Sequence, residues 1–387
     1  MSEAYDIAIV GAGPAGSSLA IRLAGAGRRV ALIEKEKFPR EKLCGEFISP
    51  ECLDQFEDLG VLADMHAAGG VELAETVFYT RGGRGLRVPS SMFGAARSHA
   101  LGLGRAEMDL RLLERARQMC VDVSEQTSVS DLVVADGRAR GVVTRTHSGT
   151  SRIGAPIVVD ATGRGRVLAR RSEGKEVLRA KAVAFKAHLR GVDIPDDRCE
   201  IFSYSGGYGG VNRVENGVHN VCFIAAASDV RRLKSDATRV FREIVCSNKR
   251  ARRVFRDAEL DYDWLAVPIS RFGRASLAPL PGLLTVGDAA AFIDPFTGSG
   301  MLLALQSAEV AAESILQGGS FQDVAAEYER RYSAAFASRL RISAMFRAAS
   351  FVPFLAELAI RGLGVSETFR ERVVRATRGT HYPKAIR

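Results

Sequence analysis

From Tyr5 to Val10 the chain reads YDIAIV, a short apolar run rich in Ile and Val. Such a run predicts a strand buried on both faces, as in a parallel sheet. In the following SSLAIRLAGAG the apolar positions recur at helical spacing and stop at Gly25 and Gly27, which predicts a helix. Val30 to Ile33 supplies a second short strand, closing on Glu34. Leu283 to Val286 repeats the apolar strand, and a long helical pattern starts near Met301. Between Lys175 and about Pro268 the rhythm changes. AVAFKAHL, CEIFSY, NGVHNVCFIA and DWLAVPIS read as strands of an antiparallel sheet. After Ala325 the pattern is helical to the end of the chain.

Composition narrows the function class. The 387 residues, 47% hydrophobic and 26% charged, suit about two globular domains and a tail. The net charge of +9 favours anionic partners. The basic residues are scattered and no nucleic-acid motif is present, so nucleic acid is not expected as a partner. Cys44, Cys52, Cys120, Cys199, Cys222 and Cys246 form no CxxC pair. His66, His99, His147, His188, His219 and His381 are isolated in sequence. No metal site is therefore expected, and the dispersed thiols suggest a reducing, cytoplasmic setting. The N-terminus enters a strand directly and does not read as a signal peptide. No apolar run reaches the roughly 18 residues that span a bilayer.

The turn between the first strand and helix is GAGPAG, with Gly11, Gly13 and Gly16. Gly11 permits the tight turn, Gly13 lets backbone approach a pyrophosphate, and Gly16 lets helix pack on strand. The helix start, with Pro14 and Ala15, offers free N–H groups and a positive dipole end to phosphates. Glu34, about twenty residues on, is placed to accept from an adenosine ribose. This fingerprint alone leaves FAD and NAD(P) open.

The segment LLTVGDAAAFIDPFTGSGM decides between them. Gly287 and Asp288 follow a strand at its C-terminal end, where ligands bind in a doubly wound sheet. There a carboxylate can hold the hydroxyls of a ribityl chain. Pro295, Gly298 and Gly300 form a turn into the helix near Met301, whose N–H groups would face a flavin pyrimidine edge. The GD…DPFTGSGM pattern resembles flavoproteins of the p-hydroxybenzoate hydroxylase fold, most closely their geranylgeranyl reductase and flavin-dependent halogenase branches. Two further segments carry the resemblance: GRAEMDLRLLERA, with Arg105 and Asp109, and IVVDATGRGRVLAR, with Asp160, Ala161, Thr162 and Gly163. It implies an α/β chain: a Rossmann-like FAD-binding domain (p-hydroxybenzoate hydroxylase / glutathione reductase-2 type), an antiparallel β-sheet substrate domain and a C-terminal helical tail. The expected boundaries are 1–75, 97–172 and 270–330 for a discontinuous FAD-binding domain, 76–96 and 173–269 for the substrate domain, and 331–387 for the C-terminal helices. Lys35 and Val129 join the residues expected at the cofactor.

After Glu34 the chain reads EKEKFPREKLCGEFISPECLDQ, which resembles the loop bordering the flavin in the geranylgeranyl reductase branch. Arg40 is a candidate for the pyrophosphate or for an entering nicotinamide phosphate. Cys44 and Gly45 are candidates for close flavin approach, since glycine leaves room for a ring against backbone. Cys44 reads either as catalytic or as a small buried hydrophobe. Glu46 reads as a proton donor or a helix-capping group, and Ser49 as the N-cap of the helix entered at Pro50. In GGYGGVNRVENG, Tyr208 and Gly217 match the YxWxFPxxxG spacing of geranylgeranyl reductases. Gly210, Asn212 and Arg213 replace its Trp, Phe and Pro. Tyr208, Asn212 and Arg213 either line a substrate pocket or form a hairpin with Tyr208 in the core.

The resemblance implies an FAD-dependent oxidoreductase acting on a hydrophobic small molecule, with hydride passing from reduced flavin to a C=C bond. The alternative is a flavin monooxygenase hydroxylating an aromatic or polyketide-like substrate through a C4a-hydroperoxide. Behind these stand a halogenase, whose GWxWxIP motif is missing, and a non-catalytic flavin-binding protein. NAD(P)H would serve as transient reductant, or a partner reductase or carrier protein would take its place. The apolar stretch SAMFRAASFVPFLAELAIRGLGV reads as a helix pair capping the cleft over a hydrophobic tunnel, as an amphipathic, peripheral membrane-surface contact, or as helices packed on the domain's own core.

Overall fold

The computed structural model describes residues 5–93, 97–173, 179–294 and 298–350, with side chains to residue 344. A five-stranded, all-parallel sheet forms the base. Its order is Leu283–Thr285, Ile157–Asp160, Ile7–Val10, Val30–Ile33, Asp122–Ser124. Side chains alternate between its faces. Ile7, Ile9, Leu32, Val159 and Leu284 enter a core shared with the helices Pro14–Gly25, Arg105–Gln118 and Gly300–Gln317. Ala8, Val10, Ala31, Ile33 and Val158 face a three-stranded meander, Ser128–Gly154. Both faces are covered, so these strands read as unbroken apolar runs.

The second sheet has seven strands, ordered Glu259–Ile269, Ala182–Arg190, His219–Ala226, Gly207–Arg213, Arg198–Tyr204, Glu75–Tyr79, Gly85–Pro89. It is not wholly antiparallel: Arg198–Tyr204 runs parallel to Glu75–Tyr79. Those two strands are far apart in sequence and are not joined by a hairpin, so nothing forces them antiparallel. One face, with Phe185, Leu189, Phe202, Val211, Val221 and Phe223, is buried under the short helices Ala227–Arg232, Ala237–Glu243 and Lys249–Val254. The opposite face looks toward the Leu43–Glu46 loop and the segment after Gly287.

The C-terminal helix, Phe321–Ser350, packs Tyr328, Tyr332 and Phe336 into the core over the parallel sheet. The Tyr328 hydroxyl donates to the Thr285 carbonyl at 2.9 Å. The expected helix pair in the apolar tail lies outside the described residues, beyond Ser350. No helix among the described residues is long and apolar enough to cross a membrane.

Candidate functional site

The glycine loop is built as its sequence requires. Gly11 has φ +103°, a conformation that favours glycine, and a Cβ there would sit 2.5 Å from the Ala161 carbonyl oxygen. Gly13 lies at the N-cap of the first helix, with Pro14 at its first position and no side chain capping it. Glu34 is buried. One of its carboxylate oxygens accepts from the Ala12 N–H at 2.9 Å and the other from Glu36 N–H at 3.0 Å. It therefore holds the loop and keeps lone pairs for a further donor. Lys35 is exposed beyond it. It lines a shallow depression of 470 Å³ with Gln126, Ser128 and Arg145, beside the strand that carries half-buried Val129.

The strand end at Asp160 is arranged differently from a ligand-facing carboxylate. Its side chain accepts from the N–H groups of Thr162, Leu168 and Ala169 and from the Thr162 hydroxyl. Asp160 thus shapes the loop, leaving the backbone of Ala161, Thr162 and Gly163 (φ +71°) to border the cleft.

Positive charge gathers between the glycine loop and Asp288. Arg40 stacks on Phe38 at 4.6 Å and pairs with Asp109 at 3.1 Å. Arg105 grips the same Asp109 through two bonds of 2.9 and 2.7 Å, and its guanidinium also touches the Cys44 thiol. A third cation, Lys42, missed at the sequence level, completes the set; Arg164, also missed, keeps different neighbours, Asp288 and Phe292. Lys42 is solvent-accessible, yet surrounding protein and then Arg40 and Arg105 pull its ammonium below its ordinary value. Burial raises the Asp288 carboxyl, while Arg164, Arg105 and Lys42 oppose that shift. No motif signals Lys42 or Arg164, because ordinary surface lysines and arginines look the same in sequence.

Asp288 sits in the 3-10 turn Gly287–Ala289, where Gly287 takes φ +60° and donates to the Ser307 hydroxyl. The helix Gly300–Gln317 starts with no side-chain cap and no acidic residue in its first turn. A Cβ at Gly300 would meet no described residue within 4 Å, and Met301 is half-buried behind it. Gly298, at φ +60°, packs near Phe47. Pro295 lies outside the described residues.

The Cys44–Glu46 turn is pinned to the seven-stranded sheet. Glu46 is fully buried with φ +50°, uncommon for a residue with a side chain. Its Oε1 accepts from the Arg105 backbone N–H at 2.8 Å and from Lys186 Nζ at 2.5 Å, and its Oε2 lies 2.7 Å from His188 Nε2. Lys186 also bonds Glu41 at 2.5 Å. Burial alone would raise the Glu46 carboxyl, but the His188 hydrogen bond and the Lys186 charge outweigh it and hold it below the usual range. Its bonds from Lys186 and the Arg105 N–H use Glu46 as an acceptor. The capping alternative describes it, at the helix beginning with Arg105 rather than the one beginning with Pro50. Glu215 joins it there through the Gly104 N–H at 2.7 Å. Ser49 occupies its N-cap position without a side-chain capping bond.

His188, isolated in sequence, is drawn into this hub. Period-two alternation puts Lys186 and His188 on one face of their strand, and Glu46 reaches them from 140 and 142 positions away. Glu41, Glu46 and His188 bring ligand-type atoms within 4.8 Å of one another. The Lys186 ammonium already supplies the cation those two carboxylates need.

Alternation also divides the three residues expected at the substrate. Tyr208 and Asn212 share the cleft face of Gly207–Arg213. The Tyr208 hydroxyl donates to Asp294, and Asn212 donates to the Glu46 carbonyl at 3.2 Å. Arg213 projects from the other face and pairs with Asp196 at the surface. It does not join them, because neighbours along a strand point oppositely. The segment is a strand followed by the turn Glu215–Gly217, with Tyr208 buried. Asn220, from the adjacent strand, donates to the Cys44 carbonyl at 3.2 Å. Gly45 is exposed, and a methyl group at its Cα would meet no described residue within 4 Å; Cys44 is half-buried beside it.

Two uncapped helix starts, a buried ribose-type acceptor and a cleft with more cations than carboxylates suit an extended dinucleotide with two phosphates. The comparisons with known proteins agree. A family profile described as FAD binding domain matches residues 4–330. Conditioned medium factor receptor 1 of Dictyostelium discoideum is 26% identical over 358 residues, covering 85% of this chain and 66% of that receptor, just under two thirds of its length. Digeranylgeranylglycerophospholipid reductase of Methanosarcina mazei is 27% identical, covering 84% of this chain and 78% of that protein. Menaquinone reductase of Mycobacterium tuberculosis is 26% identical, covering 93% and 88%. Two solved structures share the fold. The flavin-dependent brominase Bmp2 has a TM-score of 0.80 at 22% identity, covering 97% of this chain and 94% of that one. A geranylgeranyl bacteriochlorophyll reductase-like protein of Thermoplasma acidophilum has a TM-score of 0.72 at 20% identity, covering 97% and 92%. The chain belongs to the FAD-binding domain family and is an FAD-dependent oxidoreductase.

Proposed function

We propose that this oxidoreductase reduces a carbon–carbon double bond in a hydrophobic, prenyl-type substrate, with NAD(P)H as the transient source of electrons. The observation that carries this reading is the placement of the Cys44–Gly45 turn. It is exposed at Gly45, adjoins Arg105 of the cation set through Cys44, and is anchored to the seven-stranded sheet by Asn212 and Asn220. Relatives named as reductases of a geranylgeranyl lipid and of menaquinone, matched over most of the chain, support it.

When bound, FAD would supply the hydride. The protein's own residues would hold and orient it: Gly11, Gly13 and the first helix at the pyrophosphate, Glu34 at the ribose, Asp288 at the ribityl chain, and the Gly300 helix start at the pyrimidine edge. The second alkene carbon must gain a proton. Glu46 and Lys186 are locked in ion pairs, so the half-buried Cys44 thiol is the donor in this reading. Beside it Ala182, Ala184, Ile224 and Ile269 pack with Leu43, Phe272 and Phe292 in a buried apolar cluster, which helps to exclude water.

The test is anaerobic turnover of geranylgeranyl diphosphate and menaquinone by FAD-loaded protein with dithionite or NADPH, followed by mass spectrometry. A gain of two mass units per reduced bond is expected, slowed by Cys44→Ala. Oxygen-dependent gain of one oxygen atom, with no anaerobic product, would replace this reading with a monooxygenase.

A further inference from the structure

Two arginines two positions apart in the loop after Asp160 have opposite fates. Arg166 is spent within the fold: it forks onto Glu173 with bonds of 2.6 and 2.9 Å and donates to the Ala289 carbonyl at 2.9 Å. Arg164 has no hydrogen bond or ion pair among the described residues. Its guanidinium carbon lies 5.0 Å from the centre of the Phe292 ring. A guanidinium over a ring keeps its planar fork of N–H donors, and none of them bonds a described residue. The group is half-buried, so its charge is partly stripped of water without a bonded counter-charge among the described residues.

Its surroundings place it. Asp288 and Cys222 act on it electrostatically. Cys222 belongs to the cleft face of the seven-stranded sheet, directly across from Lys186 and Gly210. Lys42 keeps different company, with Glu34, Arg40 and Arg105 on the glycine-loop side. The Phe292 ring under Arg164 packs against Ala184, Tyr208 and Ile224 of the sheet's cleft face, so Arg164 is the cation on the sheet side.

We propose that Arg164 anchors an anion subsite on the sheet side of the cleft, binding a phosphate or carboxylate of a second ligand that docks beside FAD. A planar fork held by stacking suits two oxygens of one such group. The shared chemistry has two sources, a diphosphate on the prenyl substrate or a phosphate of the nicotinamide reductant. This rests on the proposed function only in requiring an anionic second ligand next to bound FAD.

The test compares wild type, Arg164→Gln and Arg164→Lys. FAD affinity is measured first, by fluorescence titration of the apoprotein. The loaded proteins are then titrated with NADPH, geranylgeranyl diphosphate and uncharged geranylgeraniol, read by flavin absorbance. Arg164→Gln is expected to keep FAD affinity within about threefold while weakening at least one phosphate-bearing probe by about tenfold or more. Geranylgeraniol should bind unchanged, and Arg164→Lys should fall between. The probe that weakens identifies the source. A parallel loss of FAD affinity overturns the proposal and assigns Arg164 to the FAD pyrophosphate. Unchanged binding of both charged probes overturns it as well, leaving a stacking role alone. Wild-type protein that takes up no FAD defeats the functional reading at the first titration. The comparison is then made with inorganic pyrophosphate: weaker binding by Arg164→Gln supports the subsite, and equal binding overturns it.

Discussion

Glu46 Oε2 and His188 Nε2 lie 2.7 Å apart, joining the Cys44–Glu46 turn to the strand Ala182–Arg190 of the seven-stranded sheet. The bond closes a buried network in which Glu46 also holds Lys186 and the first N–H of the Arg105 helix. The network fixes a residue in the left-handed region at the base of an exposed turn, so its integrity bears on both stability and the shape of the cleft.

Glu46→Gln should destabilise the protein by about 2–4 kcal/mol, because Lys186 then keeps only Glu41 as an anionic partner in a buried site. Urea unfolding followed by circular dichroism measures this. Protonation should act in the same direction. The folded-state value of Glu46 is depressed, so its contribution is fully present above the ordinary glutamate value of about 4.3 and is lost as pH falls through the lower folded value. Lys186 is raised, burial being outweighed by Glu46 and Glu41. Its contribution is present below about 10.4 and is lost as pH rises through the higher folded value. The pH dependence below about 4.3 should flatten in Glu46→Gln.

Asp288→Asn and Lys42→Gln should each weaken FAD by about tenfold, near 1.4 kcal/mol, through loss of an acceptor in the first and of cleft charge in the second. Only Lys42→Gln should reduce the salt dependence of FAD binding, since only it removes a cation opposite the phosphates. Fluorescence titration at two ionic strengths separates the two effects.

Gly11→Ala combines a backbone conformation that suits glycine with a methyl group driven against the Ala161 carbonyl. The loop must shift, so FAD affinity should fall by about a hundredfold or more, with a stability loss of about 2 kcal/mol. Gly163→Ala shares a positive φ but meets no described residue within 4 Å, and should cost only the backbone strain, about 1 kcal/mol. Equal losses in the two variants would refute the steric part of the argument.

Tyr332→Phe should be neutral or stabilising by up to about 1 kcal/mol, because the buried hydroxyl of Tyr332 has no partner among the described residues and its removal ends an unmet desolvation cost. Tyr328→Phe, which gives up a bond to the Thr285 carbonyl, should instead lose about 1 kcal/mol. Thermal unfolding of the pair provides the comparison.

The sequence itself determined the cofactor end. YDIAIV, GAGPAG and Glu34 are close together along the chain, and strand, turn and helix start are set by local sterics and by burial on two faces, which leave their mark residue by residue. The same holds for Gly287–Asp288 and the helix after it. Only the tertiary structure decided what gathers around them. Lys186, His188, Asn220 and Glu46 come from distant segments, and their meeting depends on strand register and on which face each strand turns inward. A shift of one residue would reverse every one of those faces, as the opposite directions of Asn212 and Arg213 show. Arg164 and Arg166 look alike in the sequence. Which of them bonds the described fold and which makes no hydrogen bond among the described residues follows from distances that exist only after folding.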